Sequence, residues 1–475
     1  MAEQPLGILQ VSASDNRGGA ALIAWNLHQA YRHRNLQAWM AVGHRYSNSP
    51  ELFVVSNDAY RRHWAKFWMS VPNLFSPFAD KLPGFGRLRN YLKWIGQLKR
   101  WRRIRLGYED FDFPGTWRLL ELPPRRPDII HCHNLHGDYF DLRALPWLSQ
   151  QVPVLLTLHD AWLLSGHCAH SFKCKRWETG CGQCPNLSTY PAVRRDATAH
   201  NWRVKQNLYA QSRLYVATPC RWLMQKVENS MLIPAIGETK VIPHGVNLSL
   251  FCPVDKKVVR EHLGLRQDEK VLLFAANRIR HTTMKDYQTL RSAVQMVAKR
   301  PNGQKLVFIA LGETGQAEQI GKTRISFVPY QNKPEVVAHY YQAADIYLHA
   351  SHADTFPTTI LEALACGTTV IATSVGGISE QVKSLEHCAK SPDCLSYQSD
   401  NATGLLVIPG DAEAMAQAII TLLTNDSLRS KLSGNAARDA RERFDLNRLA
   451  EQYLQWYQEI RQQQKCKRPE MVSAG

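Results

Sequence analysis

The feature that most constrains the fold of this chain is a pattern of short apolar runs separated by amphipathic segments, which occurs once in each half. In the first half, apolar residues at helical spacing predict a helix at 20–32. The apolar runs that we interpret as strands lie at residues 6–12, 38–42, 128–133, 152–159 and 214–218. Strands separated by helical segments form parallel sheets. The first half therefore predicts one Rossmann-like unit.

The second half repeats this alternation from residue 270 onward. We predict strands at 270–277, 305–311, 345–350 and 369–373, and helices at 287–299, 334–344, 359–366, 413–423, 428–443 and 446–461. A chain of 475 residues is also too long for one ordinary hydrophobic core. Open parallel sheets bind ligands beyond the carboxyl ends of their strands. We therefore expect two α/β units that face each other, with the site in the cleft between them.

The charge balance favours anionic partners. Lysine and arginine number 58 against 41 aspartate and glutamate residues, a formal net charge of +17. The start of the chain does not resemble a signal peptide, and no apolar run is long enough to span a membrane. We expect a protein in the cytoplasm or at the inner face of the cytoplasmic membrane. Eleven cysteines in such a chain argue against a disulfide scaffold.

Two segments carry residue types suited to a phosphorylated ligand. Gly18 and Gly19 join the first strand to the first helix, where backbone amides approach a phosphate closely, although the same pair is also typical of a simple tight turn. In the segment 349–367, Asp354 precedes a helix start at Pro357 and Glu362 lies on that helix. The helix start, with Thr358 and Thr359, offers amides to a diphosphate. On spacing alone, a capping aspartate and an exposed glutamate remain an alternative interpretation.

The run 345–382 contains Asp354-Thr355-Phe356-Pro357, Glu362-Ala363-Leu364-Ala365-Cys366-Gly367 and Gly376-Gly377-Ile378-Ser379-Glu380. This run resembles the donor-binding core of the retaining glycosyltransferases of family 4, which have the GT-B fold. The resemblance extends to Ile242-Pro243-His244-Gly245-Val246-Asn247, to Asn277-Arg278, to Gly404-Leu405-Leu406-Val407 and to Gly18-Gly19. It covers essentially the whole chain.

The resemblance implies an α/β GT-B fold, with two facing Rossmann-like domains and a C-terminal helix that crosses back to the first. The predicted boundaries are an acceptor-side domain at 1–218, a nucleotide-sugar domain at 219–444, the crossover helix at 445–464 and a flexible tail at 465–475. The first domain includes a basic, aromatic insertion at 60–106 and a cysteine-rich loop at 165–185. A further insertion at 383–402 has no functional interpretation.

The resemblance also implies roles for individual residues. Asp354 falls near the sugar, where the family usually has glutamate, and Glu362 falls at the ribose. Arg278 and Lys285 match the basic pair that neutralises the departing diphosphate, a role that needs no catalytic metal or other cofactor. Asp286 follows Lys285 where the family has glycine. The predicted catalytic residues are His159, which ends a first-domain strand and reaches the donor sugar, Asp354, Arg278 and Lys285, and the predicted donor-binding residues are Gly18, Gly19, Thr358, Thr359 and Glu362.

Four cysteines, Cys168, Cys174, Cys181 and Cys184, lie close together in the sequence. Four thiolates can enclose a structural zinc ion, but the first spacing is unusual and buried thiols are common, so both interpretations stay open. Together with Asp160, Trp162, Gly166 and His167, this block resembles a branch of family 4 that assembles capsules and exopolysaccharides, including the colanic-acid type. That branch implies a polyprenyl-diphosphate-linked oligosaccharide as the acceptor.

Two other groups in the first half have open interpretations. His131, His133 and His136 are candidates for the acceptor side or, as a weaker alternative, for a metal site. Residues 61–105 interleave arginine and lysine with tryptophan, phenylalanine and tyrosine. Such a composition suits peripheral contact with an anionic membrane, although it also fits an insertion that folds onto its own domain.

We therefore predict a hexosyltransferase that retains configuration and moves a sugar from a nucleotide-diphosphate donor to a glycan acceptor in exopolysaccharide or cell-surface polysaccharide synthesis. One rival of another class is a nucleic-acid-binding protein with a structural zinc ion, which the charge and the aromatic residues suggest. It does not explain two Rossmann-like halves, and we expect no nucleic-acid partner. Other GT-B enzymes, a nucleotide-sugar epimerase or a phosphorylase, are closer rivals.

Overall fold

The computed structural model describes residues 5–74, 94–277, 279–282, 284–300, 305–385 and 396–467. The chain divides into two compact units. The first comprises the described residues of Met1–Thr218, Leu223–Val241 and Tyr453–Gly475, and the second comprises those of Pro219–Trp222 and Ile242–Gln452. Each unit is built around one sheet, as the two apolar patterns predict.

The first unit contains a seven-stranded sheet in which every neighbouring pair is parallel. Its strands are β1 (Gly7–Ser14), β2 (Gln37–His44), β3 (Leu52–Val54), β4 (Ile129–His133), β5 (Val154–Thr157), β6 (Leu214–Thr218) and β7 (Ile236–Val241), in the order β3-β2-β1-β4-β5-β6-β7. The accompanying α-helices are α1 (Gly19–His33), α2 (His63–Leu74), α3 (Leu98–Arg105), α4 (Leu145–Gln151), α5 (Thr198–Tyr209) and α6 (Arg221–Glu228). Short 3-10 helices lie at Asp58–Tyr60, Pro114–Glu121, Leu142–Ala144, Trp162–Leu164, Arg176–Glu178 and Ile233–Ala235.

The centre of this sheet is buried on both faces. In β1, Ile8, Leu9 and Val11 are fully buried, and so is the polar side chain of Gln10. Helices cover both faces of a parallel sheet, so its inner strands are apolar throughout rather than at alternate positions. This explains why continuous apolar runs in the sequence predicted β1, β2, β4, β5 and β6.

Residues 223–241 were assigned from the sequence to the second domain, but the structure places them in the first unit. The reason is β7, which pairs in parallel with β6 and extends the first sheet. Its side chains alternate between half-buried and exposed, as expected at a sheet edge. This weakly apolar pattern gave no strand prediction.

The second unit contains a nine-stranded sheet. Its strands are β8 (Lys270–Ala275), β9 (Leu306–Leu311), β10 (Glu318–Ile320), β11 (Thr323–Val328), β12 (Ile346–His349), β13 (Thr369–Thr373), β14 (Ser384–Leu385), β15 (Ser396–Tyr397) and β16 (Gly404–Val407). The order is β10-β11-β9-β8-β12-β13-β16-β14-β15, and the β10–β11 pair is antiparallel while the others are parallel.

The helices that follow in the chain are α7 (Lys256–His262), α8 (Tyr287–Ala298), α9 (Pro334–Ala343), α10 (Thr358–Ala365), α11 (Ile378–Gln381), α12 (Ala412–Thr424), α13 (Asp426–Arg443) and α14 (Leu446–Lys467), with a 3-10 turn at Ile279–His281. Asp286 caps the start of α8, and its carboxylate accepts hydrogen bonds from the backbone amide and hydroxyl of Thr289. The helix residues Leu290 and Val294 pack into the core with Phe274 of β8. The sequence predicted this helix and this strand, at 287–299 and 270–277.

The residues of helix α14 are divided between the two units. Its residues up to Gln452 belong to the second unit and those from Tyr453 onward to the first. In the first unit, the hydroxyl of Tyr453 lies 2.8 Å from Thr157 Oγ1, and that of Tyr457 lies 2.6 Å from His131 Nδ1. The predicted crossover of the C-terminal helix is therefore present.

The basic, aromatic insertion includes α2 and α3. Trp64 and Phe67 on α2 are largely exposed, at 61% and 58%. Phe75, Phe78, Phe85 and Tyr91 of this insertion, Cys388 and Cys394 of the second insertion, and the tail from residue 468 lie outside the described residues. Among the residues that the structure describes, no helix has the length and apolar character needed to cross a membrane.

Candidate active site

Lys285 and Asp354, two of the predicted catalytic residues, are neighbours in the second unit. The segment before α8 runs antiparallel to the segment after β12, with Asp286 N donating to Ala350 O at 3.0 Å and His352 N donating to Met284 O at 2.9 Å. This backbone pairing brings the ammonium group of Lys285 into an ion pair with the carboxylate of Asp354. Two residues that are distant in sequence thereby form one charged group.

His349 and Ser351 complete this group, which we call the Lys285 cluster. His349 Nε2 lies 3.3 Å from Lys285 Nζ, 3.1 Å from Asp354 Oδ2 and 2.9 Å from Ser351 Oγ. Tyr347 OH lies 3.1 Å from the other ring nitrogen. The sequence analysis gave none of these three residues a role. Their alternate positions along the strand, which place them on one face, were the available signal.

The electrostatics of the cluster follow from burial and from the charge of Lys285. Burial raises the pKa of Asp354, but the charge of Lys285 and the hydrogen bond with His349 outweigh it and bring the pKa far below its ordinary value. Burial and the same ammonium group lower the pKa of His349 to about 4. At pH 7 the cluster therefore pairs an ionised Asp354 with a neutral His349.

Glu362 lies on α10, which begins at Thr358 directly after Pro357, as predicted. Thr358 and Thr359 occupy its first turn and are half-buried. Burial raises the pKa of Glu362 to about 7, with a smaller opposing contribution from the Tyr341 hydroxyl. With a pKa of about 7, this carboxyl group accepts hydrogen bonds when it is ionised and donates one when it is protonated.

A glycine pair supports the loop that carries Asp354. A side chain at Gly376 would meet the carbonyl oxygen of Asp354 at 1.9 Å, and one at Gly377 would meet the carbonyl oxygen of Thr355 at 2.4 Å. Gly377 N also donates to Thr355 O at 2.9 Å. These glycines were part of the sequence motif, and the close approach of two backbones explains why both positions need glycine.

A cavity of about 590 Å³ in the second unit is lined by Lys285. Arg280 and Arg291 also line it, together with the carboxylates of Asp286 and Glu318, and Arg291 pairs with Glu318 at 2.8 Å. Arg280 was not singled out from the sequence, and its guanidinium group donates to the carbonyl oxygen of Thr314 at 2.5 Å. Arg278, the other predicted catalytic cation, lies outside the described residues. Among the side chains that line the cavity, the cations Arg280, Lys285 and Arg291 exceed the two carboxylates by one, a small positive balance that favours an anionic ligand.

In the first unit, His159 follows the end of β5 by two residues. Its Nε2 lies 3.0 Å from His133 Nδ1, and the two rings stack with centroids 5.3 Å apart. His133 Nε2 lies 2.7 Å from Gln10 Oε1. His131 is fully buried between Thr157 and the C-terminal helix. The two strand histidines therefore hold the local structure together.

Gly18 and Gly19 precede and begin α1, as the sequence predicted. Gly18 has φ +95°, a conformation that favours glycine, and its carbonyl oxygen accepts from Leu22 N at 2.9 Å. A side chain at either glycine would meet no atom within 4 Å. The space beside both α-carbons is therefore open.

The four clustered cysteines are all free thiols. Cys181 Sγ accepts from Gly166 N at 3.3 Å, and Cys184 Sγ lies 3.4 Å from His167 Nε2. Burial raises the pKa of Cys181 to about 11. Within the described ranges, no three or more His, Cys, Asp or Glu side chains converge to hold a metal. The structural zinc ion remains a prediction. Elemental analysis of the purified protein would test it.

Two doubly wound parallel sheets, each in its own unit, define the fold of a GT-B glycosyltransferase. Solved structures agree with this class. Sucrose-phosphate synthase from Thermosynechococcus elongatus has a TM-score of 0.57 at 19% identity and covers 96% of this chain and 99% of its own. The Anabaena protein Alr3699/HepE, in complex with UDP-glucose, has a TM-score of 0.56 at 18% identity and covers 96% and 100%. At these identities the likeness shows the fold.

Sequence comparisons identify the family. The family model described as "Glycosyltransferase Family 4" matches residues 17–250, and that described as "Glycosyl transferases group 1" matches residues 255–439. A D-inositol 3-phosphate glycosyltransferase of Thermobispora bispora is 30% identical over 353 residues, which cover 70% of this chain and 71% of that protein. WcaC of Escherichia coli, assigned by its name to colanic acid biosynthesis, is 26% identical over 52% of this chain and 60% of its own length. The chain belongs to the family 4 glycosyltransferases.

Proposed function

We propose that this protein is a retaining hexosyltransferase that takes a sugar from a nucleotide-diphosphate donor and passes it to a glycan acceptor. The observation that carries the proposal is the Lys285 cluster, because Lys285 both pairs with Asp354 and lines the cavity of the second unit. The complexes of Alr3699/HepE with UDP and with UDP-glucose support a nucleotide sugar as the donor.

The proposed chemistry uses the cluster as a fixed electrostatic environment. As the bond between the sugar and the diphosphate breaks, negative charge develops on the departing phosphate, and the ammonium group of Lys285 stabilises it. Asp354 accepts hydrogen bonds from hydroxyl groups of the sugar, and Glu362 accepts them from the ribose. The role of His159 at the donor sugar is part of the same proposal. With retention, the new bond forms on the face that the nucleotide leaves.

We further propose that the acceptor is a polyprenyl-diphosphate-linked oligosaccharide in the assembly of an exopolysaccharide or another cell-surface polysaccharide. The name of the relative WcaC supports such a pathway. A lipid-linked acceptor requires work at the inner face of the cytoplasmic membrane. The exposed rings of Trp64 and Phe67, together with the arginine-rich helix α3, support contact with an anionic membrane.

The first experiment is a screen of the purified protein against UDP-, GDP-, ADP- and dTDP-sugars, followed by thermal shift and by nucleotide release. The expected result is one donor that raises Tm and is slowly hydrolysed. Both effects should be lost in Lys285→Ala and Glu362→Ala. Lys299→Ala and Glu413→Ala serve as matched controls, because both side chains are exposed, lie in the same unit and do not line the cavity.

A response to none of the four donor classes would contradict the proposal. Tight, salt-dependent binding to nucleic acid in the same preparation would then favour the nucleic-acid-binding alternative.

A further inference from the structure

A second cavity, of about 630 Å³, lies in the first unit. Its volume falls in the range of small-molecule sites. Its walls come from helices α2 and α3 of the basic, aromatic insertion, from the loop after β4 and from the segment around Tyr190. The ring-bearing residues of the lining are Trp94, Tyr108, Phe113, Phe140, Trp162 and Tyr190. Aromatic rings on several sides of one space provide flat apolar surfaces for a ligand.

Glu109 places a carboxylate in this lining. Its side chain is only 8% exposed, and its Oε1 accepts from Lys205 Nζ at 2.9 Å. The other oxygen, Oε2, is enclosed by protein atoms, and the Trp162 side chain contributes a hydrogen bond to this carboxyl group. Lys205 and Trp162 therefore hold the Glu109 carboxylate in place in the wall of the cavity.

A fixed histidine lies on another wall of the cavity. His136 Nε2 lies 2.8 Å from Asp160 Oδ2, and both side chains are 12% exposed. Asn134 donates to the same oxygen at 3.0 Å, and Trp162 N donates to Asp160 Oδ1 at 2.9 Å. Tyr190 OH lies 3.4 Å from His136 Nδ1. These contacts hold one polar ring between two aromatic ones.

The backbone beside His136 adopts a conformation that side chains rarely take. Gly137 has φ +106° and Asp138, which also lines the cavity, has φ +61°. A non-glycine residue with positive φ costs free energy and persists where the surrounding structure requires it. The loop after β4 is therefore held in a shape that presents Asp138 to the cavity.

The charges of the lining distinguish between ligand classes. Four carboxylates, of Asp58, Glu109, Asp110 and Asp138, line the space against two guanidinium groups, of Arg100, which is paired with Asp110 at 2.5 Å, and of Arg194. Such a lining repels a phosphate group. It suits an uncharged pyranose, whose C–H faces lie against aromatic rings while its hydroxyl groups donate to carboxylates.

We infer that this cavity binds an uncharged sugar residue of the acceptor glycan, through the ring of Tyr190 and the carboxylate of Asp138. The inference rests on the proposed function, because it assigns the acceptor side of the same reaction. The inference also assigns a role to the insertion, which forms part of the cavity wall. Helix α2 exposes Trp64 and Phe67 to solvent, while Met69 of the same helix lines the cavity.

The test is saturation-transfer NMR on the full chain, with methyl β-D-glucopyranoside, methyl β-D-galactopyranoside and methyl α-D-mannopyranoside as probes. The expected result is transfer to at least one probe that falls at least fivefold in Tyr190→Ala and in Asp138→Asn. Tyr190→Phe, which keeps the ring, should retain the signal. Tyr330→Ala is the matched control, because Tyr330 is 53% exposed against 55% for Tyr190 and lies in the second unit.

Transfer to no probe, or equal transfer in the wild type and both cavity variants, would overturn the inference. The nucleotide-sugar screen separates this failure from failure of the proposed function. If a donor binds and no probe does, the cavity assignment alone is lost. If a probe binds the cavity and no donor binds the second unit, the cavity is a carbohydrate site and the proposed transfer reaction is lost.

Discussion

Lys285 and Asp354 form an ion pair although 69 positions separate them in the chain, and His349 lies within hydrogen-bonding distance of both. The pair is formed by antiparallel contacts between the segments that precede α8 and follow β12. If a donor binds in the cavity, as proposed, it meets an ammonium group that the carboxylate already holds in position. Such preorganised charge is what stabilises a leaving phosphate.

Replacement of the carboxylate tests this pair. Asp354→Asn keeps the size of the side chain but removes the charge that holds Lys285, and it weakens the contact proposed for the sugar. We expect donor turnover to fall by about 10²-fold, as is common when one charged contact of a transition state is lost. The measurement is the rate of nucleotide release at saturating donor.

Asp411→Asn is the control for that substitution, because Asp411 caps α12 in the same unit and has no part in the cluster. It should change stability by about 1 kcal/mol or less and leave turnover intact. Equal turnover in Asp354→Asn and Asp411→Asn would show that the pair is structural only.

The raised pKa of Glu362 predicts a pH-dependent stability. Its carboxyl group titrates near pH 7 in the folded protein and near 4.5 when unfolded, so the unfolded state loses its proton first as the pH rises. The folded state is therefore destabilised progressively from pH 4.5 to 7, and fully above pH 7. We expect Glu362→Gln to raise the free energy of unfolding by on the order of 2 kcal/mol at pH 8 and to have little effect at pH 4.5.

Urea unfolding of the wild type and Glu362→Gln at both pH values provides the measurement. A gain of the same size at pH 4.5 and pH 8 would contradict the assigned titration. Glu413→Gln, an exposed residue in the first turn of α12, controls for the general effect of removing an acid from a helix.

Lys205 is predicted to be essential for the stability of the first unit. Its side chain is fully buried, pairs with Glu109, and donates to the carbonyl oxygens of Trp162 and Ser165 at 2.9 and 3.0 Å. Lys205→Met leaves the carboxylate of Glu109 buried without its counter-charge, which costs about 3–5 kcal/mol. Removal of both charges in Lys205→Met/Glu109→Gln should recover part of this loss. The measurement is the free energy of unfolding of both variants in denaturant. A double variant less stable than Lys205→Met would contradict the role assigned to this ion pair.

The exposed rings of α2 predict binding to anionic lipid. We expect the wild type to sediment with vesicles that contain phosphatidylglycerol and not with pure phosphatidylcholine vesicles, because α3 is rich in arginine. Trp64→Ser/Phe67→Ser should weaken that binding about tenfold, since each ring contributes buried apolar area. The control is Val258→Ser/Tyr330→Ser, which removes exposed apolar side chains from the second unit. Equal binding by the two double variants would exclude α2 as the contact.

Much of this architecture was predictable because buried strands and helices place apolar residues at regular positions in the sequence. The fully apolar runs of β1 and β8 and the spaced apolar residues of α8 predicted two parallel sheets with helices on them. Seven strands were not predicted: β3, β7, β10, β11, β14, β15 and β16. In β7 and β10 the side chains are partly or fully exposed, so they form no apolar run. Strand β16 is buried but only four residues long.

For the candidate site, the sequence by itself determined the residue types, the start of α10 before Glu362 and the glycine pair beside the Asp354 loop, because these depend on local backbone chemistry. Only the tertiary structure decided that Lys285 pairs with Asp354, that His349 joins them, and that Glu109 and Tyr190 line one cavity. The physical reason is that these contacts join segments far apart in the chain. Their energies depend on burial and on distances that a linear pattern of residues does not contain.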